Sequence, residues 1–327
     1  MGWNESALSK GYYLPQPPRE KRVSRHDLDG GFRTHVYTGV PNLGDCYNYY
    51  LYGIVSGLKN FEGEKQGPLL CQVGSILNQH CDVIWGSGLI IDRGVNFTDA
   101  GVEIFALRGP DTLKRLKNIP PSQTTAFGDP GLLAPLIFPL PHSAVSTDFC
   151  IIPHYIDHDN PTVKRLMMKE NNETEGYDVR FLNIETCRFN EFVEDLSGCK
   201  RVLSSSLHGL IFSFSYGIPG IRLILSEKVY GNHFKFRDFY EGIGHPNLYQ
   251  YVEVKNGGKI PFSKLASIMG HKVPSYNAEA LWSSNPTHAQ NLGIGRLEHV
   301  QRASNWTKNL DAVYPREPYI DLKQHVE

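Results

Sequence analysis

Apolar residues in this chain come in short runs that stop at glycine or proline loops. Cys81-Asp-Val-Ile-Trp85 runs into Gly86-Ser87-Gly88, and Val102-Glu-Ile-Phe-Ala-Leu107 runs into Arg108-Gly109-Pro110 with a helical pattern over 111–116 behind it. Runs of this length, rich in β-branched and aromatic residues and closed by turn residues, read as strands. Strand, loop and helix follow one another from Thr34-His-Val-Tyr-Thr38, through the loop 39–44, into an aromatic helical stretch over 45–58. The alternation restarts at Phe149-Cys-Ile-Ile152, with helical patterns over 162–172 and 188–196 and strand patterns at Val179-Arg-Phe-Leu182 and Arg201-Val-Leu203. Alternating strands and helices indicate parallel β/α units. We therefore expect an α/β protein of two doubly wound halves facing each other across a central cleft. The halves span 33–141 and 142–275, after an irregular arm over 1–32 and before a less patterned extension over 276–327 that packs back on both.

Prolines 130, 135, 139 and 141 prevent one long regular element between the halves, because each removes a backbone donor. That passage reads as the crossing from one half to the other. The strongest local pattern is Lys200-Arg-Val-Leu-Ser-Ser-Ser-Leu-His-Gly-Leu-Ile-Phe-Ser-Phe-Ser-Tyr-Gly-Ile-Pro219. Leu207, Leu210, Ile211 and Phe214 fall at helical spacing. The serines before them can cap the helix, Gly217 can end it, and Pro219 blocks its continuation. A helix starting there lies outside the carboxyl end of a parallel strand, where open α/β sheets bind ligands. Its free N–H groups and the serine hydroxyls suit a phosphate or carboxylate.

Composition narrows the partners. The 327 residues carry 33 Lys plus Arg against 34 Asp plus Glu, a net charge of -1 that gives no footprint for nucleic acid, so an anion must be held locally. No apolar run approaches the roughly 18 residues that cross a bilayer. The six cysteines show no C-x-x-C pair and read as free thiols; with no apolar leader at the amino terminus, they indicate a cytoplasmic chain. Four N-x-S/T sequons, at Asn4, Asn96, Asn172 and Asn305, carry no weight for such a chain. No histidine or cysteine spacing marks a metal site, and neither a P-loop nor a complete dinucleotide fingerprint is present, so no metal, NAD or ATP is expected.

Several residues stand where chemistry is possible. His208 falls in the first turn of the helix, where a bound phosphate favours its protonation, and it is equally a histidine satisfied by packing. Arg108 ends an apolar strand and either forks onto an anion or makes a salt bridge. Asp129 in Gly128-Asp-Pro-Gly131 is turn chemistry first and an acceptor or base second. Asn42 and Asp45 lie in a loop before a helix, where Asp45 is either a base or an N-cap. His154 and Tyr155 follow a second-half strand and face the same cleft or form a packed corner.

Taken in order, Asn42-Leu-Gly-Asp45, Trp85-Gly-Ser-Gly88, Arg108-Gly-Pro110, Gly128-Asp-Pro-Gly131, Pro153-His-Tyr-Ile-Asp157 and Ser205-Ser-Leu-His-Gly209 with its Gly-Ile-Pro219 tail resemble the polysaccharide pyruvyltransferase family. The resemblance spans about residues 35–245. It implies two Rossmann-like halves similar to GT-B glycosyltransferases, phosphoenolpyruvate as co-substrate with no other cofactor, and a glycan hydroxyl pair as acceptor, joined as a ketal. The acceptor is a lipid-linked oligosaccharide or a polysaccharide, and a lipid-linked one implies loose attachment at the inner membrane face. The resemblance implies donor contacts from Arg108, Ser205, Ser206, His208, Gly209 and Lys235. His208 would serve as acid or phosphate contact, Asp45 or Asp129 as base, and Asn42, His154 and Tyr155 on the acceptor side. Many relatives have arginine where this chain has Ser206; its task would fall to Arg108, Lys235 or the helix end. A nucleotide-sugar glycosyltransferase and a non-catalytic glycan-binding relative are the rival readings.

Overall fold

The computed structural model describes residues 33–286 apart from 38, 57–67, 98–100, 120–125, 140–146, 169–172, 256 and 271–272. The arm over 1–32 and most of the extension lie outside the described residues. The first half holds β1 (Arg33–Thr34), α1 (Leu43–Ser56), β2 (Leu69–Cys71), β3 (Val83–Trp85), β4 (Val95–Asn96), β5 (Glu103–Leu107), α2 (Pro110–Leu113), β6 (Leu116–Lys117) and β7 (Ala126–Phe127). A 3-10 turn over Pro130–Leu133 and the short α3 (Ala134–Ile137) follow. The second half holds β8 (Phe149–Ile152), α4 (Pro161–Met167), β9 (Val179–Phe181), α5 (Phe189–Ser197), β10 (Val202–Ser204), α6 (Leu207–Ser215), β11 (Gly220–Ile224), α7 (Asn232–Gly242), β12 (Tyr251–Glu253) and α8 (Phe262–Ile268). The last described helix is α9 (Ala278–Ser283).

Both main sheets have five strands, and all their pairings are parallel. The central strands β2, β3, β8 and β10 are buried throughout, as strands covered on both faces must be. The order in the second sheet is β12-β11-β10-β8-β9, so the chain goes to one side of β8 to form β9 and to the other side for β10 onward. That reversal makes the second half doubly wound, with its switch point between β8 and β10. The first sheet runs β1-β2-β3-β5-β7 in chain order, with no reversal. Double winding therefore describes one half only.

Local details follow the residue types. α6 ends in a Schellman motif: Gly217 takes φ +75°, its N–H donates to Phe214 O at 3.0 Å, and Ile218 N–H donates to Ser213 O at 2.8 Å. The helix expected over 111–116 stops at Leu113, and Leu116–Lys117 instead pairs with β4. The proline passage forms two short turns packed on α6, where Gly131 meets Ile211 and Phe212. Trp85 Nε1–H donates to Leu281 O at 3.0 Å and Tyr276 O–H donates to Leu132 O at 3.0 Å, which seats α9 on the first half.

The free-thiol expectation is overturned. Cys46 pairs with Cys187, Cys71 with Cys81 and Cys150 with Cys199. Spacing gives no hint of this because the pairs form across the fold: two of the three are 141 and 49 residues apart, and the third joins the end of β2 to the loop before its neighbour β3. No described helix is long and apolar enough to cross a membrane.

Candidate functional site

The switch point sets the floor of a pocket. In the register that pairs Ile152 with Ser204, both strands end together, releasing Pro153-His154 from one and Ser205-Ser206 from the other. Ser204 Oγ accepts from Ser206 N–H at 3.0 Å and lies 2.8 Å from Ile152 O, which fixes the tight strand-to-helix turn. Ser206 occupies the N-cap position of α6 without a side-chain bond to that helix. Ser205 Oγ faces away and accepts from His154 N–H at 2.8 Å. Gly209 is needed for packing, since a Cβ there would meet Ser204 Oγ and the Ile152 side chain.

Above the turn is a pocket of about 810 Å³, its solvent mouth included. Ser206, His208, His154, Tyr155 and Lys235 line it from the second half, and Asn42, Asp45 and Ser75 from the first. Asn42, not Asp45, caps α1: its Oδ1 accepts from Gly44 N–H at 3.0 Å. Asp45 is thereby placed in the first helical turn, facing the pocket. Its carboxyl is pushed up to about 7 by burial, against the opposing pull of the Tyr37 backbone and the Lys235 ammonium. Such a group gives or takes a proton near neutral pH.

His208 lies against Gly44 of α1 and stacks at 5.8 Å on Phe212. Its Nε2 is buried with no hydrogen-bond partner. Burial, then the Lys235 and Arg108 cations, lower it to about 3, which favours the neutral imidazole. An acid role at His208 therefore calls for a bound anion that offsets these cations. His154 is held down to about 3 by burial and the same lysine; its Nδ1 accepts from Ile156 N–H at 3.3 Å, and its ring lies over Tyr155.

Lys235 is buried, 6 % exposed, on α7. Among the described residues no ion pair is recorded for it, and its ammonium lies 5.7 Å from the Phe236 ring centroid. Burial, then Arg108 and Arg222, bring it down to about 7, while Asp45 and Asp157 oppose the shift. A buried cation with cationic neighbours and no direct counter-ion favours an incoming anion.

Arg108 and Asp129 are placed behind the pocket rather than in it. Arg108 is fully buried; it donates from Nε to Asp238 Oδ2 at 2.9 Å, from Nη1 to Ser75 Oγ at 2.6 Å and from Nη2 to Leu89 O at 2.6 Å. Three of its five N–H donors are engaged in these bonds, and it does not line the pocket. Asp129 caps the 3-10 turn by accepting from Gly131 N–H and also accepts from Gly74 N–H, both at 2.9 Å. Burial raises it to about 6, and each of its oxygens already accepts from one backbone N–H.

Two supports escaped the sequence reading. Asp238, three residues past Lys235, holds Arg108 and also accepts from Thr112 N–H and Oγ1–H, each at 2.7 Å. Asn48 locks α1 to the loop carrying Ser75, accepting from Val73 N–H at 3.0 Å while its Nδ2–H donates to Val73 O at 3.3 Å. The Asp238 signal was present in Lys235-Phe-Arg-Asp-Phe239, an acidic residue one helical turn from the lysine. Asn48 had no signal beyond being polar in an aromatic helix.

The structure is that of an α/β protein with parallel sheets, and a buried lysine without an ion pair among the described residues lines the pocket above the switch point of its second half. Comparison with known proteins adds a likeness over part of the chain: the model of the polysaccharide pyruvyl transferase family matches residues 83–226, from β3 through β11. That bears out the resemblance carried by the motifs. An uncharacterized protein of Acanthamoeba polyphaga mimivirus is 30% identical over 193 residues, covering 57% of this chain and 64% of the relative. The aligned part of this chain thus spans less than two thirds of that relative's length.

Proposed function

We propose that the pocket transfers the pyruvyl group of phosphoenolpyruvate to two hydroxyls of a glycan sugar, forming a ketal and releasing phosphate. The observation that carries this reading is the buried Lys235 ammonium, without an ion pair among the described residues, lining one pocket with His208, whose Nε2 has no partner, and with the N-terminus of α6, which has no side-chain cap. Together they suit a small, doubly anionic donor. Lys235 then performs the anchoring that the family's arginine would perform at position 206, and the neutral Ser206 leaves room for it. The family match over 83–226 supports a glycan-modifying transferase of this kind.

The reaction needs a proton on the donor methylene, attack by one hydroxyl on the oxocarbenium-like carbon, loss of phosphate and closure by the second hydroxyl. The two hydroxyls release two protons; one replaces the proton used to make the methyl group, and the other leaves with phosphate or solvent. Asp45, on the opposite wall with a pKa near neutral, is suited to deliver and recover the proton. His208 begins neutral and gains basicity once phosphate offsets Lys235 and Arg108, so its part is to bind the phosphate, take the proton released by the second hydroxyl and pass it to the leaving phosphate. Asn42, His154 and Tyr155 are left to orient the sugar. The GT-B likeness belongs with this proposal, since the sequential strand order of the first sheet departs from a pair of identical halves.

The test is incubation of the full chain with phosphoenolpyruvate and a panel of oligosaccharides, followed by phosphate release and product mass. Acceptor-dependent phosphate release with a pyruvylated product is expected. Transfer from a nucleotide-sugar, with phosphoenolpyruvate untouched, would replace this reading with the glycosyltransferase one.

A further inference from the structure

Two features play no part in the proposed reaction: the cysteine pairing and the sequon on β4. The paired cysteines have Cα separations of 5.4, 5.8 and 5.7 Å, within disulfide reach, and none of the six is left over. Complete pairing of six cysteines is the pattern of a chain that folds where thiols are oxidised. Each bond would form by exchange with the disulfide of a protein thiol oxidoreductase: two cysteine thiols lose two protons, and their two electrons reduce the carrier.

In such a compartment an Asn-x-Thr sequon becomes an acceptor, and the pattern that carries no weight for a reduced chain gains a physical meaning. Asn96-Phe97-Thr98 is the sequon whose asparagine is described. Phe97 is buried at 1 % and anchors the strand, while Asn96 is exposed beside it. Asn96 Oδ1 accepts from Asn118 Nδ2–H at 2.8 Å, so the amide nitrogen to be glycosylated is not the bonded atom. The residue is also outside the pocket lining, so an oligosaccharide there would leave the pocket open.

We propose that Asn96 is an N-linked glycosylation site on a chain that matures in an oxidising, lumenal compartment. The co-reactant class is a polyprenyl-diphosphate-linked oligosaccharide. The bond from its anomeric carbon to the diphosphate oxygen breaks, a bond to Asn96 Nδ2 forms, the amide loses one proton, and polyprenyl diphosphate leaves. The cytoplasmic expectation rested on free thiols and on the lack of an apolar leader, and the pairing removes the first of these supports.

The test uses the full chain isolated from the cells that make it, with N-ethylmaleimide added before lysis, mapped without reduction. Three cross-linked peptide pairs with no alkylated cysteine are expected. Peptide N-glycosidase in heavy-oxygen water should convert Asn96 to labelled Asp. Thr98→Ser should keep the glycan and Thr98→Ala should lose it. Alkylation of the six cysteines, or an Asn96 peptide found wholly unmodified, would overturn the proposal. None of these readouts depends on pyruvyl transfer, so failure here and failure of the proposed activity are distinguishable.

Discussion

Arg108, at the end of β5, and Asp238, on α7, form a fully buried ion pair at 2.9 Å that ties the first half to the helix carrying Lys235. Asp238 is also bonded to Thr112, so removing the arginine strands a buried carboxylate whose other partners are neutral. Truncating one member of such a pair costs about 3–5 kcal/mol. Arg108→Ala is therefore expected to lower the denaturant midpoint sharply. The Arg108→Met, Asp238→Leu double variant should recover much of the loss. Urea titrations of the three proteins decide this, and an Arg108→Ala protein of wild-type stability would return the residue to the role of a free clamp.

Asp45 carries a cost in stability and, in the proposed reaction, the proton. Because burial raises its pKa to about 7, the folded state keeps a proton that the unfolded chain releases in the ordinary carboxylate range. Its contribution to stability is fully present at low pH and is lost as pH rises toward about 7. Asp45→Asn stays neutral, so it should be more stable than wild type above that pH and lose about 10²–10⁴ in kcat. Thermal melts and initial rates across pH check both signs.

Gly44 gives the His208 ring its place. A Cβ at this position would overlap the imidazole, so Gly44→Ala must displace the ring or the start of α1. Displacement on the order of 1 Å costs about a hundredfold in rate. Steady-state kinetics should show that loss, mainly in kcat, while Gly217→Ala, distant from the pocket lining, should affect stability through its positive φ and leave the rate near wild type.

The Cys46–Cys187 pair joins the residue beside Asp45 to the second half across 141 residues. Closing a loop of that length restricts the unfolded chain by about 5 kcal/mol in the chain-entropy view. The Cys46→Ser, Cys187→Ser variant should unfold at a clearly lower urea concentration than wild type under non-reducing conditions. In excess dithiothreitol the difference should shrink. Equal midpoints without reductant would show that the pair contributes nothing.

Much of the second half was legible because its signals are local. Phe149–Ile152 is the strand expected, and α6 begins, ends and buries its face as Leu207, Leu210, Ile211, Phe214 and Gly217 dictate. The first half was less legible: β2, three residues long, has no flanking period, and β1 stops at Thr34 although the β-branched run continues. In the site, Asn42, Asp45, His154, Tyr155, Ser206, His208 and Lys235 line one pocket. What stayed illegible has one cause. Whether Arg108, Asp129, Ser205 or a cysteine is available depends on partners far away in sequence, such as Asp238 at a separation of 130 residues. Residue type states what a side chain can do, and tertiary contacts decide whether it is already engaged.

The central claim is that Lys235 and His208 form an anion site for phosphoenolpyruvate, and calorimetric titration tests it without knowledge of the acceptor. Phosphoenolpyruvate, inorganic phosphate, pyruvate, UDP and GDP would each be titrated into wild type, Lys235→Ala, Lys235→Arg and His208→Ala. With the Lys235 pKa near 7, the account predicts selective phosphoenolpyruvate binding that weakens from about pH 6 to about pH 9, that Lys235→Ala abolishes and His208→Ala weakens, and that Lys235→Arg retains with a flatter pH dependence. Unchanged phosphoenolpyruvate affinity in Lys235→Ala, or preference for a nucleoside diphosphate in wild type, would contradict it.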